Sequence, residues 1–300
     1  MSISCIIPAK SESDPNLKLL IDSIKAQNYP QDQVEILVIT EGNSEEAKAI
    51  GIRHAKHDIC AMFCADNEIV HQDLFSLVEG SFEQFPELTG VYTKHYHVDK
   101  KDNLVNSYFS LLGANDVVPF FLGKCDRLPY TKYSIDEKAT FFSFKYGVPS
   151  LGDNGFFFKR KYLLDADLDH YYPMDICEDL RQLGHNMYLR LNIDAIWHKT
   201  SSNIFSFLSK RNKYAESLYL NQFIHRRWRM IDGKQEWVKL LFWSAMSIII
   251  IPDILYAIHG YLRYKHRAWF LHPIVCLLMV ISYTWMFLTW KLSRALSFRH

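Results

Sequence analysis

The N-terminal sixty residues alternate short apolar runs with helically spaced apolar positions. Ser4 to Pro8 is a β-branched, apolar run stopped by proline, which predicts a buried strand that ends in a loop. Leu17, Leu20, Ile21 and Ile24 recur at helical spacing, Pro30 closes that segment, and Val34 to Thr40 predicts a second buried strand. A helix is expected from about Ser44 to His57. It leads into a third strand, Ile59 to Cys64, which stops abruptly at Ala65-Asp66-Asn67-Glu68. Later strand-like runs lie near Gly90 to Tyr96, Gly155 to Lys159 and Met187 to Leu191. Strands alternating with helices imply a mostly parallel sheet, whose ligands lie beyond the carboxyl ends of the strands. The polar stretches at those ends are Lys10 to Glu12, Glu41 to Ser44 and Asp66 to Glu68.

The pattern changes in the tail. Val238 to Ile258 is apolar apart from Lys239, two serines and the Pro252-Asp253 pair, and Ala268 to Trp290 is a window of 23 residues without a formal charge. Each is about the length that crosses ~30 Å of hydrocarbon. Trp237, Trp243, Trp269, Trp285 and Trp290 lie in or beside these windows, as in an aromatic belt. A membrane hairpin is expected, either as two spans or as a re-entrant pair kinked at Pro252 and Pro273. The re-entrant form keeps Arg263, Lys265 and Arg267 at anionic headgroups together with Lys291, Arg294 and Arg299. The expected organisation is a domain over 1–215 with halves 1–95 and 96–215, a basic juxtamembrane segment over 216–236, and a membrane-anchoring hairpin and tail over 237–300.

Charge sharpens that division. From Lys199 onward there are 15 Lys/Arg and 4 acids, which leaves 19 and 29 of the chain's 34 and 33 before it. The near-zero total therefore hides an acidic first part and a basic tail, arguing for a polyanionic surface at the C-terminal end and against a nucleic-acid partner. Six scattered cysteines, Cys5, Cys60, Cys64, Cys125, Cys177 and Cys276, suggest neither a disulfide framework nor a Cys-rich zinc site, and reduced cytosolic thiols are expected. The N-terminus lacks the features of a secretory signal, so the N-terminal domain is expected at the cytoplasmic face of the cell membrane.

Several polar groups have chemical potential. Asp66 follows an apolar strand, where a carboxylate can hold a hard divalent cation against a diphosphate. Gly152-Asp153-Asn154-Gly155 is a turn signal in its own right. Glu178-Asp179 is either an acid pair at a helix start or two carboxylates of which one serves as base. A lone His198 at a strand end is more often structural than a ligand. His95 and His97 share one strand face without a third ligand, and the Phe141-Phe142 and Phe156-Phe157-Phe158 runs read as core.

Read in order, Ser4 to Glu12, Glu41 to Glu46, Ala65-Asp66-Asn67, Gly152 to Gly155, Cys177-Glu178-Asp179 and Trp197-His198 resemble family 2 of the GT-A glycosyltransferases over about residues 3 to 215. The resemblance implies a nucleotide-sugar-binding, Rossmann-like mixed sheet flanked by helices, a nucleotide-diphospho-sugar donor (a UDP-sugar first), Mg²⁺ or Mn²⁺, and inversion at the anomeric carbon. It implies that Pro8, Glu12, Glu41, Lys48 and Asp66 border the donor, with Lys210 and Arg211 neutralising the leaving diphosphate. Asp66 and His198 would meet the metal, Asn154 and Gly155 the acceptor, and Asp179 or Glu178 would be the base. Cys64 stands where that family has the first Asp of its metal motif. With the hairpin, the expected activity is transfer to a lipid-linked saccharide in cell-surface polysaccharide or glycoconjugate synthesis. The alternatives are a polyprenyl-phosphate sugar synthase and, prompted by Cys64 and the short Glu-Asp segment, an inactive scaffold of the same fold.

Overall fold

The computed structural model describes residues 1–125, 138–221 and 225–297. Its elements run β1 (Ile3–Pro8), α1 (Pro15–Lys25), β2 (Val34–Ile39), α2 (Ser44–His54), β3 (Ile59–Met62), β4 (Asn67–Ile69), α3 (Leu74–Gln84) and β5 (Gly90–Tyr96). Helices α4 (Leu104–Leu112) and α5 (Val117–Phe121) follow. Then come β6 (Ala139–Ser143), β7 (Phe156–Lys159), α6 (Arg160–Leu163), α7 (Pro173–Gln182) and β8 (Met187–His198). The chain continues through α8 (Ile204–Ala215), α9 (Lys234–Ile249), α10 (Ile251–Tyr264) and α11 (His272–Ser297). Two compact units result. Residues 1–97 and 125–199 form the first, and 98–124 with 200–300 form the second. Residues 98–124 and 200–215, read from the sequence with the N-terminal domain, thus group with the C-terminal helices.

The first unit is built on one sheet of order β2-β1-β3-β7-β5-β8-β4, with β6 also on β8. β1 pairs in parallel with β2 and β3, and β5 with β8, whereas β3–β7, β5–β7, β4–β8 and β6–β8 are antiparallel. The mostly parallel reading therefore holds for β2-β1-β3, where α1 and α2 supply crossovers, and for the β5–β8 pair, whose connection is also long enough to return the chain. β4 instead follows β3 through a tight turn, in which Asn67 N donates to Cys64 O at 2.9 Å. β2, expected to be buried, is half-buried along its length because it is the edge strand.

Local chemistry accounts for the helix starts. Asp14 accepts from Asn16 N at 2.9 Å and Pro15 opens α1. At α2, Asn43 accepts from Glu45 N and Glu46 N while the Glu46 carboxylate accepts from Asn43 N, a capping box that sets the Glu41–Asn43 loop. The phenylalanine run is core on both faces of β7: Phe157 meets Phe63 and Phe75 edge-on at 6.0 Å, and Phe156 stacks on Tyr92 at 4.9 Å.

The second unit is helical. Asn103 caps α4 and Asp116 caps α5, and Asp116 also accepts from Tyr283 Oη of α11 at 2.5 Å. The window Val238 to Ile258 is not one straight helix: α9 and α10 meet at 88° across Ile250, whose φ is 68°. A 3₁₀ turn, Arg267–Leu271, feeds α11, and Arg267–Ser293 is the one helix among the described residues that is long and apolar enough to cross a membrane. Only 22% of its apolar window is buried, and Leu241, Phe242, Ile248, Leu255, Ile281 and Trp285 are all more than half exposed.

Candidate functional site

The carboxyl ends of β1, β2 and β3 come together at one edge of the first unit. Pro8 pairs with Ile39, Ala9 N donates to Ile39 O at 2.9 Å, and Phe63 N donates to Ile6 O at 3.1 Å. Pro8 is buried there, while Glu12 and Glu41 are exposed on the two loops that follow. Beyond β3 the chain turns at Cys64, whose amide donates to the Asn67 side chain at 2.9 Å. Buried Asn67 passes the link on, its Nδ2 donating to Asn154 Oδ1 at 3.1 Å.

β8 delivers His198 to the same place because Asn67 and His198 are register partners. His198 Nε2 lies 3.4 Å from Asp66 Oδ1, its ring rests 5.3 Å from that of Tyr96, and its buried Nδ1 has no hydrogen-bond partner. Lys199 N donates to Asp66 O at 3.0 Å, and Lys199 Nζ pairs with Glu68 at 2.8 Å. The expected metal pair, Asp66 and His198, is thus assembled by the pairing of two strands 130 residues apart.

The third contribution is the Gly152–Gly155 turn. Gly152, Asn154 and Gly155 all have positive φ, at 106°, 56° and 79°. A Cβ at Gly155 would fall 2.6 Å from Ile196, and one at Gly152 would fall 2.7 Å from the Pro173 carbonyl, so this sharp turn can lie between β8 and α7 only as glycine. The turn presents Asp153 to Lys48 of α2, with Nζ 2.6 Å from Oδ2. Burial alone would disfavour the ammonium, but the Asp153 carboxylate more than offsets it and holds Lys48 well above the ordinary lysine range. Cys64 Sγ approaches the other oxygen of Asp153 at 3.4 Å. Burial first, then the Asp153 charge, push this thiol well up.

The α7 acids are engaged differently. Arg181 donates to both oxygens of Glu178 and Gln182 donates to one. Burial pushes that carboxyl up, but these bonds outweigh it and leave Glu178 below its usual range. Asp179 Oδ2 accepts from Asp167 N at 3.2 Å. Asp175, not singled out from the sequence, is fully buried in the first turn of the same helix. In the second unit Lys210 Nζ donates to Thr200 O at 3.1 Å, and Arg211 pairs with Asp116 at 3.3 Å and lies over Tyr214. His97 lies against Trp197, and the side chain of His95 falls outside the described residues, as do Arg294 and Arg299.

The donor set fits a divalent cation. A carboxylate oxygen and an imidazole nitrogen 3.4 Å apart are close to the ~3 Å edge of an octahedral site with ~2.1 Å bonds, and the imidazole favours Mn²⁺ over Mg²⁺, whose ligands are oxygens.

No family model matches the chain, and no curated protein does. Among solved structures, the mannosyltransferase PcManGT from Pyrobaculum calidifontis, in complex with GDP-Man and Mn²⁺, matches with a TM-score of 0.51 and 12% identity, over 93% of this chain and 85% of that one. TarS 1–349 of S. aureus in complex with UDP-GlcNAc matches over 93% of this chain and 91% of that chain, with a TM-score of 0.44 and 12% identity. Another TarS crystal structure matches over 77% of this chain with a TM-score of 0.46 and 12% identity, and this chain covers 41% of its length. At these identities the likeness speaks for architecture, and only the PcManGT superposition is close enough to carry it. The chain has the expected GT-A α/β fold, a mixed sheet flanked by helices, with an apolar helix at its C-terminal end.

Proposed function

We propose that the protein is an inverting glycosyltransferase that moves a sugar from a nucleotide-diphospho-sugar to a lipid-linked acceptor at the cytoplasmic face of a membrane. The observation that carries this reading is the assembly of Asp66, His198, Asn67, Asn154, Asp153 and Lys48 at the carboxyl ends of β1 to β3, where such sheets bind ligands. In this reading Asp66 and His198 hold Mg²⁺ or Mn²⁺, which when bound neutralises charge on the departing diphosphate. Pro8, Glu12 and Glu41 border the nucleoside. Asn154 and Gly155 line the acceptor side. A carboxylate of α7 takes the proton of the attacking hydroxyl. Glu178 is the weakest candidate because Arg181 occupies both its oxygens, which leaves Asp179, with buried Asp175 as its rival.

Calorimetry with UDP and GDP tests the donor site. One nucleotide is expected to bind in Mn²⁺ and to lose that affinity in EDTA or in Asp66→Ala. Equal affinity with and without the ion would overturn the metal assignment, and no binding of either nucleotide would overturn the transferase reading.

The exposed apolar surface of α9 to α11, with arginines at 226, 227 and 229 before it, supports the membrane reading. The 88° bend between α9 and α10 favours the re-entrant pair over a straight first span. With Cys64 and Cys125 replaced, the two cysteines that are not buried, Arg263→Cys should react with an impermeant thiol reagent only after lysis. Labelling of intact cells would instead establish two spans.

A further inference from the structure

The helical unit encloses a second Cys-Asp-His group that the proposed transfer does not use. Asp253 lies in the first turn of α10, and His272 and Cys276 lie one turn apart on α11, so α11 presents two donors on one face. All three are sealed from solvent, with 2%, 0% and 0% exposure. His272 Nε2 is 3.6 Å from Cys276 Sγ and 3.9 Å from Asp253 Oδ1, and one donor atom from each residue lies within 4.8 Å of the other two. The second imidazole nitrogen, Nδ1, is 2.6 Å from the hydroxyl of Tyr108 on α4. Asp253 Oδ2 is buried beside the Ser247 hydroxyl.

One of these separations matches an edge of a tetrahedral metal site and a second approaches one. With bonds of about 2.3 Å to thiolate and about 2.05 Å to imidazole, sulfur and nitrogen sit about 3.6 Å apart, and nitrogen and carboxylate oxygen about 3.4 Å. The first distance is already present, and the second needs half an ångström of closure. One carboxylate and one thiolate cancel the charge of a divalent ion, which relieves the cost of an ionised group among Phe121, Tyr256 and Trp269. The Tyr108 hydroxyl holds the imidazole from its far side, as the outer partner of a metal-bound histidine does. A mixed N, S and O set selects zinc over the hard ions suited to Asp66.

We infer that Asp253, His272 and Cys276 form a zinc site that fastens α10 to α11, with Ser247 or a water as fourth ligand. This stands whether or not the donor-site reading is right, because it rests on other residues and another ion. The test is elemental analysis of the full-length protein purified in detergent under reducing conditions, with zinc in the growth medium. About one zinc per chain is expected, unchanged in Asp66→Ala and reduced at least tenfold in Cys276→Ser and Asp253→Asn. X-ray absorption of the wild-type protein should show one sulfur among nitrogen and oxygen neighbours, and this readout needs no variant to fold. Zinc at trace level in the wild type, zinc retained by both variants, or a spectrum without sulfur would each overturn the proposal.

Discussion

The molecule contains two clusters of cysteine, aspartate and histidine, and they differ in what already neutralises them. At the sheet edge, Cys64, Asp66, Asp153 and His198 lie with a lysine, Lys48, paired to Asp153, and Asp66 is about one-third exposed. Between the helices, Cys276, Asp253 and His272 are sealed in an aromatic cage, and among the described residues no lysine or arginine pairs with Asp253. The same residue types therefore suit different ions. In the readings proposed above, the open, oxygen-rich cluster takes a hard cation and the closed one a soft resident cation. Exposure and the neighbouring charge, more than residue identity, decide which.

The largest expected effect concerns the transfer itself. Asp179→Asn should slow sugar transfer on the order of 10²- to 10⁴-fold while nucleotide binding stays nearly intact, the range for loss of a general base. Parallel kinetics on Asp175→Asn and Glu178→Gln would move the role if either of them, and not Asp179→Asn, is the slow enzyme.

Removing the internal cation should make the open cluster resemble the closed one. Lys48→Met leaves Asp153 beside Cys64 without its partner, and a loss of about 2–3 kcal/mol is expected by denaturant unfolding. That is below the cost of breaking a fully buried pair because a quarter of Asp153 is exposed. Added Mn²⁺ should restore part of it. A variant as stable as the wild type would mean that the pair contributes little.

Cys64→Asp makes the complementary change by adding a third carboxylate near Asp153 and Asp66. Without divalent ion its melting temperature should fall by a few degrees, and with Mn²⁺ the ion should bind more tightly than to wild type. Unchanged Mn²⁺ affinity by calorimetry would show that position 64 does not face the ion.

The smallest effect is the pH response of Glu178. Its carboxyl is held below the ordinary range, so in acid the unfolded chain takes up its proton first. The stabilisation is complete above the unfolded value near pH ~4 and is lost as pH falls through the depressed folded value. Melting temperatures of Glu178→Gln should therefore fall less steeply in that window than those of wild type. Parallel curves would remove the Arg181 pair from the stability of α7.

Much of this was legible in the chain. The periodicity of Leu17, Leu20 and Ile24 and the apolar runs of β1 and β3 mark the elements of the first unit because burial demands them. The glycines of the 152–155 turn are readable because only that residue tolerates those backbone angles beside Ile196 and Pro173. Lys48 was placed at the donor only through resemblance, since no pattern announces a buried lysine whose partner lies 105 residues away. The kink expected at Pro252 falls at Ile250, two residues earlier, whereas Asp175 and the grouping of Asp253, His272 and Cys276 carry no local pattern that marks them.

What the sequence determined by itself is therefore local: which segments are strands or helices, where glycine is required, which end carries apolar and basic surface. These follow from solvation and backbone sterics over a few residues at a time. The tertiary structure decided which polar groups meet. Strand register brings His198 to Asp66, the Gly152–Gly155 turn brings Asp153 to Lys48, and helix packing closes His272 and Cys276 on Asp253. Those pairings depend on contacts between segments far apart in the chain, and the energy of a charged or ligating group depends on what surrounds it after folding.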